Sequence, residues 1–281
     1  MADWSGGNDR GPRPKRDAIW TCLLTAHGET TLYHRNRQVA EDWITTAIGQ
    51  RISAGDPVLA GFDFPFATPA GFARALTGRD DPRALWDWFA ARVQDSPRAN
   101  NRFDLAGAIN ALFPGTGPFW GNGLARDIPD LPRKGSARDF RWSPEKREVE
   151  TRARGAFACW QLSGAGAVGS QMILGMPFLA RLARRFPTAV WPWDRAPAPL
   201  TLIEIWPSLI AAQVRAATRP GDIRDAVQVR LLAHAIAAMT PGQRARFLDV
   251  PATAEGAIFG VDRQDELAQI ARTIHLDPAP P

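Results

Sequence analysis

The spacing of apolar and polar positions changes several times along the chain, and each change marks an element. Ala18-Ile19-Trp20-Thr21-Cys22-Leu23-Leu24 is a run of strand-favouring residues. Gly28 marks a turn, and Thr30 to His34 reads as a further strand. Over residues 37–52, Ala40, Trp43, Ile44, Ala47 and Ile48 recur at helical spacing, which predicts an amphipathic helix. Gly55-Asp56-Pro57 ends it, and Val58-Leu59-Ala60-Gly61-Phe62 follows as an unbroken apolar run. A strand covered on both faces has that pattern. Farther on, the pattern predicts a helix from Ser170 to Arg185, strands at Ala189–Trp191 and Leu200–Ile205, and a helix from Ile223 to Met239. Short helices near Gln243 to Leu248 and Gln264 to Ile274 precede a Pro-rich tail that frays.

Asp3-Trp4-Ser5 stands at the exit of a strand that opens the chain, and a Gly/Pro/basic loop, Gly6 to Arg16, leads to the next. Three strands, a helix and a fourth strand, followed later by α-β-β-α, predict an α/β protein with a mixed sheet flanked by helices. The first strand and the strand ending at Asp63 become parallel neighbours through a right-handed crossover. Residues 1–70 and 159–281 are assigned to this core. Residues 71–158, broken by Pro and Gly, read as an irregular, partly helical insertion whose Trp86, Trp88, Trp120 and Trp142 fill its interior.

With 281 residues, 45% of them apolar, the chain can bury a sizeable core, and it has no collagen-like repeat. No apolar run reaches the roughly 18–20 residues that cross a bilayer, and the opening residues lack the apolar stretch of a secretory signal. Cys22 and Cys159 are too few for a disulfide framework or a thiolate metal site, so a cytoplasmic protein is expected. The net charge of +5 comes almost entirely from Arg, with Lys only at 15, 134 and 146. That charge permits nucleic acid as a partner without requiring it.

Four acids carry the candidate chemistry. Asp3 ends the first strand, Asp63 ends the buried one, Glu204 lies in the strand Leu200–Ile205, and Asp225 opens the helix after Gly221-Asp222. At about 100° per residue, Asp225 shares a stripe with Val229, Leu232 and Ile236 and so faces the sheet. Parallel strands bring their C-terminal ends to one edge, where open α/β sheets bind ligands. Carboxylates crowded there repel unless a cation holds them, and oxygen donors without His or Cys suit Mg²⁺ or Mn²⁺. Each acid also has a plain structural reading. Asp63 can begin a turn, Asp225 can favour a helix N-terminus, Glu204 can pair with an Arg, and Asp3 can belong to a turn.

These residues carry a family resemblance. The sequence resembles an uncharacterised family of predicted ribonuclease H-like nucleases, through Asp3-Trp4-Ser5, Phe62-Asp63-Phe64-Pro65, Glu204-Ile205-Trp206-Pro207 and the acidic helix beginning at Asp225. The match covers residues 1–70 and about 165–240, outside the insertion. It implies a ribonuclease H-like sheet and divalent-metal nuclease chemistry, with Asp3, Asp63 and Asp225 as metal ligands and Glu204 as a fourth acid. Ser5 belongs to the same motif and is placed among the cofactor-binding residues. The chain departs from the family in one respect, since only Met1 and Ala2 precede Asp3 in the first strand.

Gly164-Ala165-Gly166-Ala167-Val168-Gly169 offers a competing motif of the G-x-G-x-x-G type, followed by a helix and later by Asp194. Ser170 and Gln171 open that helix and could hold a phosphate on exposed N–H groups, or Ser170 could simply cap it. The second expectation is therefore a nucleotide- or cofactor-binding protein using the Gly164–Ser170 turn. The family resemblance links that alternative to molybdopterin cofactor assembly. A third is a nucleic-acid-binding module without catalysis, using the Arg-rich stretch 133–154 and Trp142, although its interleaved acids also suit a solvated face. His27, His34, His234 and His275 show no metal-ligand spacing, His234 lies in an apolar helix, and no G-x-S-x-G elbow occurs. The oligomeric state is left open by the sequence.

Overall fold

In the computed structural model, which describes residues 1–7, 9, 13–14, 18–139, 141 and 143–277, the chain opens with β1 (Ala2–Asp3). The antiparallel pair β2 (Ile19–Thr25) and β3 (Gly28–His34) follows, then α1 (Arg37–Ser53) and β4 (Val58–Phe62). Five helices come next: α2 (Phe72–Thr77), α3 (Pro82–Ala90), α4 (Arg102–Asn110), α5 (Glu148–Arg152) and α6 (Val168–Arg185). The chain then forms β5 (Thr188–Val190), β6 (Leu200–Glu204), α7 (Ala211–Ala217), α8 (Arg224–Ala237), α9 (Pro241–Leu248) and α10 (Gln264–Arg272). Trp142, part of the loop 6–16 and the residues of the tail after 277 lie outside the described residues.

The strands form one mixed sheet in the order β3-β2-β1-β4-β6-β5, flanked by helices. β2 alone runs against the others: it pairs antiparallel with β1 and β3, whereas β1–β4, β4–β6 and β6–β5 are parallel. The β1–β4 pairing is the one that the short crossover through α1 predicts. Register aligns Ala2 with Phe62 and Phe62 with Glu204, so the C-terminal ends of three parallel strands stand side by side. Gly61 makes the close packing there possible. A Cβ on it would lie 2.5 Å from Met1 Sδ and 2.9 Å from Ile205 Cγ2.

Two compact units divide the chain. The first comprises residues 1–63, 186–252 and 257–281 and holds the sheet with α1 and α7–α10. α8 lies on β2 and also touches β1 and β3. On this face Cys22, Val229 and Ala233 pack with Met1, Trp20 and Leu24. α1 starts under an Asn36 cap, whose Oδ1 accepts from Val39 N at 3.0 Å. Arg37, fully buried, donates to Ser5 O at 2.8 Å and Gly7 O at 3.0 Å and so fastens the chain just after β1.

The second unit comprises residues 64–185 and 253–256. It therefore begins earlier than the expected insertion and keeps α6, which packs on α3 and α4. Its interior is aromatic: Phe72 meets Phe113, Phe119 and Trp160 at centroid distances of 5.0–6.1 Å. Trp86 and Trp160 are buried, with their indole N–H groups donating to Phe66 O and Glu145 O. The Arg-rich stretch mostly pairs with acids of its own or of the loop just before it, as Arg133–Asp127, Arg138–Glu145, Arg147–Glu150 and Arg152–Glu148. Arg147 and Glu150 form a buried pair, and the rest hold exposed acids. No described helix is long and apolar enough to cross a membrane.

Candidate functional site

The first unit gathers three of the four acids at the C-terminal edge of its sheet. Side chains alternate across a strand, and aligned residues on neighbouring strands share a face. Asp3 therefore lies on the face of Met1 and Trp20, which α8 covers. From α8, Gln228 Nε2 donates to Asp3 Oδ2 at 3.1 Å and to Asp225 Oδ1 at 3.4 Å. Trp4 N donates to Asp63 Oδ1 at 2.5 Å, which draws the carboxyl just past β4 toward the end of β1. Asp3 and Asp63 also share a hydrogen bond, and both feel the charge of Asp225.

That crowding has a clear electrostatic result. Burial holds the Asp3 carboxyl well above its ordinary range, and the charges of Asp63 and Asp225 push it further; Gln228 acts in the other direction. Burial likewise lifts Asp63, to about 7, although the Trp4 N–H and the hydrogen bond from Asp3 favour its charged form. Asp3 is thus the partner that keeps the shared proton and donates it to Asp63. Two carboxyls in contact share one proton more readily than they carry two charges.

Glu204 is not part of this group. It is buried at 3% exposure and aligned with Phe62, so its side chain leaves the sheet on the face opposite Asp63. Its backbone carbonyl accepts from Phe259 N at 2.8 Å. Ser5 sits two residues beyond Asp3, where its hydroxyl accepts from Gly7 N at 3.1 Å and its carbonyl from Arg37. It shapes the loop leaving β1.

Ser170 and Gln171 belong to the second unit. α6 begins at Val168, so Ser170 lies inside the first turn and is not its cap. Its hydroxyl donates to Leu162 O at 2.6 Å and accepts from Arg102 Nε at 2.8 Å, while Gly169 N donates to Gln161 O. The preceding residues make only an isolated bridge, Trp120 with Gln161, where a dinucleotide unit needs a strand. Gly169 serves close packing, since a Cβ there would lie 2.6 Å from Cys159 O. Asp194 is occupied at the end of β5, where its Oδ2 accepts from Val190 N at 2.8 Å.

Two residues near the start of α8 escaped the sequence reading. Gln228 follows Asp225 at the three-residue spacing that places two side chains on one helix flank, but a Gln in an amphipathic helix reads as ordinary. Arg224 directly precedes Asp225 and looked like one more of many arginines. His234, placed in an apolar helix, bonds to Glu29 Oε2 at 2.8 Å beside Arg230, whose Nε donates to Glu29 Oε1 at 2.5 Å. Compared with protein-family models, curated proteins and solved structures, the chain matches none of them.

As they stand, no three His, Cys, Asp or Glu side chains among the described residues are disposed to hold a metal ion. In the proton-sharing arrangement, Asp3 and Asp63 satisfy each other and Gln228 stands between Asp3 and Asp225. In kind, the donors do suit a hard divalent cation. Two carboxylates in contact are the usual protein share of a Mg²⁺ site, whose other positions go to water and substrate phosphate.

Proposed function

We propose that this protein has a ribonuclease H-like core and hydrolyses phosphodiester bonds in nucleic acid with Mg²⁺ or Mn²⁺, in the cytoplasm. The observation that carries this reading is the Asp3–Asp63 contact with Asp225 beside it, three acids from separate stretches meeting at one sheet edge. The meander β1-β2-β3 continued by parallel β4 and β6 supports the fold assignment. Two buried, unbridged cysteines go with a reducing compartment.

Asp3 and Asp63 would hold the cation, with Asp225 next to them, and Gln228 orients the Asp3 carboxylate. A divalent ion in such a site neutralises charge on the phosphate and makes a water acidic enough to attack at neutral pH. Asp63 gives up its own proton near neutrality, and a bound cation would displace the one that Asp3 keeps. Glu204 takes no part.

The test is cleavage of end-labelled single-stranded and duplex oligonucleotides with Mg²⁺, with Mn²⁺ and with EDTA. Wild-type protein is expected to cut only with a divalent ion, and Asp63→Asn to lose at least about 100-fold in rate, on the scale of removing one essential charge-stabilising group. Cleavage that persists in Asp63→Asn, or wild-type protein inert with both ions on every substrate, overturns the reading.

A further inference from the structure

Arg224 opens α8, one residue before Asp225 and four before Gln228. Its side chain makes no hydrogen bond or ion pair with any described residue, and its Nε is shielded from solvent without an acceptor. Several other guanidinium groups of the first unit are engaged. Arg37 fastens the chain after β1, Arg230 meets Glu29, and Arg246 meets Glu266. A desolvated N–H with no acceptor lowers stability, so Met or Leu would serve this position better if packing were its only role. The spacing of four also sets Arg224 and Gln228 on the same flank of the helix.

The chemistry of the edge says what would use it. Three acids repel an anionic substrate, so a phosphodiester that approaches them needs a fixed positive group within reach. A planar guanidinium is well matched to phosphate oxygens. The start of α8 adds to this, because its capping residue Ile223 offers no side-chain acceptor to the first N–H groups of the helix. We propose that Arg224 is a phosphate-binding residue, whose guanidinium donates to a backbone phosphate of the nucleic acid at the acidic edge. The inference rests on the phosphodiesterase reading and narrows it to a substrate gripped through its phosphate.

Arg224→Met separates this role from a structural one. Thermal melting and fluorescence anisotropy with a labelled single-stranded oligonucleotide are measured in EDTA, with inorganic phosphate as a competitor. Arg224→Met is expected to melt no lower than wild type, since it removes a donor that has no partner. Its affinity for the oligonucleotide is expected to fall about tenfold, as loss of a charge-assisted hydrogen bond requires. Arg224→Lys, which keeps the charge but not the fork, is expected to fall in between. Competition by inorganic phosphate in wild type but not in Arg224→Met assigns the contact to a lone phosphate group; no competition in either assigns it to a phosphate within a strand. Unchanged affinity in Arg224→Met overturns the proposal, as does wild-type protein that binds no oligonucleotide. A melt well below wild type also overturns it, because the guanidinium then has a structural partner. Binding in EDTA needs no cation, so a failure here is distinct from wild-type protein that binds strands but does not cut them with Mn²⁺.

Discussion

Asp3 and Asp63 are held in a state that the unfolded chain does not share. In the folded protein both bind a proton at pH values where a free aspartate has released it, with Asp63 lifted from 3.8 to about 7. Between those values the folded state carries more protons than the unfolded one, so stability falls as pH rises through that window. The contribution of Asp63 is fully present below pH 3.8 and lost as pH passes about 7, while that of Asp3, which keeps its proton longer, persists beyond it. Melts in EDTA are therefore expected to drop by several degrees between about pH 5 and pH 8, and Mn²⁺ at the higher pH to restore the loss. Asp63→Asn, with one charge fewer, is expected to flatten the pH dependence and remove the response to Mn²⁺. A wild-type melt at the higher pH that ignores Mn²⁺ removes the cation site. Single residues were unevenly legible. The sequence placed Asp3, Asp63 and Asp225 near one edge because element ends are visible in the apolar pattern. Glu204 misled because its face depends on register, and register is set by pairing with Phe62 rather than by any local signal.

The strand β4 shows what element-scale packing demands. Its run Val58–Phe62 was legible at both ends because a strand covered on two faces is apolar throughout. Gly61 looks like a gap in that run, yet it lies where Met1 and Ile205 press in from the strands on either side. Gly61→Ala would put a methyl group 2.5 Å from Met1 Sδ and 2.9 Å from Ile205 Cγ2, and those side chains must shift to admit it. A loss of about 1–3 kcal/mol in urea unfolding is expected. A neutral Gly61→Ala would mean that the Met1 and Ile205 side chains yield freely. The helices of the second unit were harder to see. α3 runs nine residues, and its start signal, Asp81 accepting from Arg83 N with Pro82 at the first helical position, was lost among other Pro and Gly breaks. α6 was visible as a helix, but its partners were not, since the contacts with α3 and α4 join residues far apart in sequence.

Across the whole molecule, charge is not evenly shared. Residues 64–185 and 253–256 carry 18 Lys and Arg against 12 Asp and Glu, while the rest of the chain carries 16 against 17. The unit without the acidic edge thus holds the entire positive excess. Many of its arginines are paired with exposed acids, and such surface pairs yield readily to a stronger anion. Binding of a single-stranded oligonucleotide in EDTA is expected to weaken steeply with salt, with a logarithmic slope beyond about −2, corresponding to three or more phosphates neutralised. Anisotropy titrations from low to physiological salt measure it, and a flat response would assign the positive excess to solubility alone.

The hydrogen bond from Gln228 to Asp3 spans 225 positions of the chain, and that from Trp4 to Asp63 spans 59. The acidic edge is therefore not assembled until the chain has been made through Gln228, so the site can close only after residues 64–185, the intervening part of the second unit, have left the ribosome.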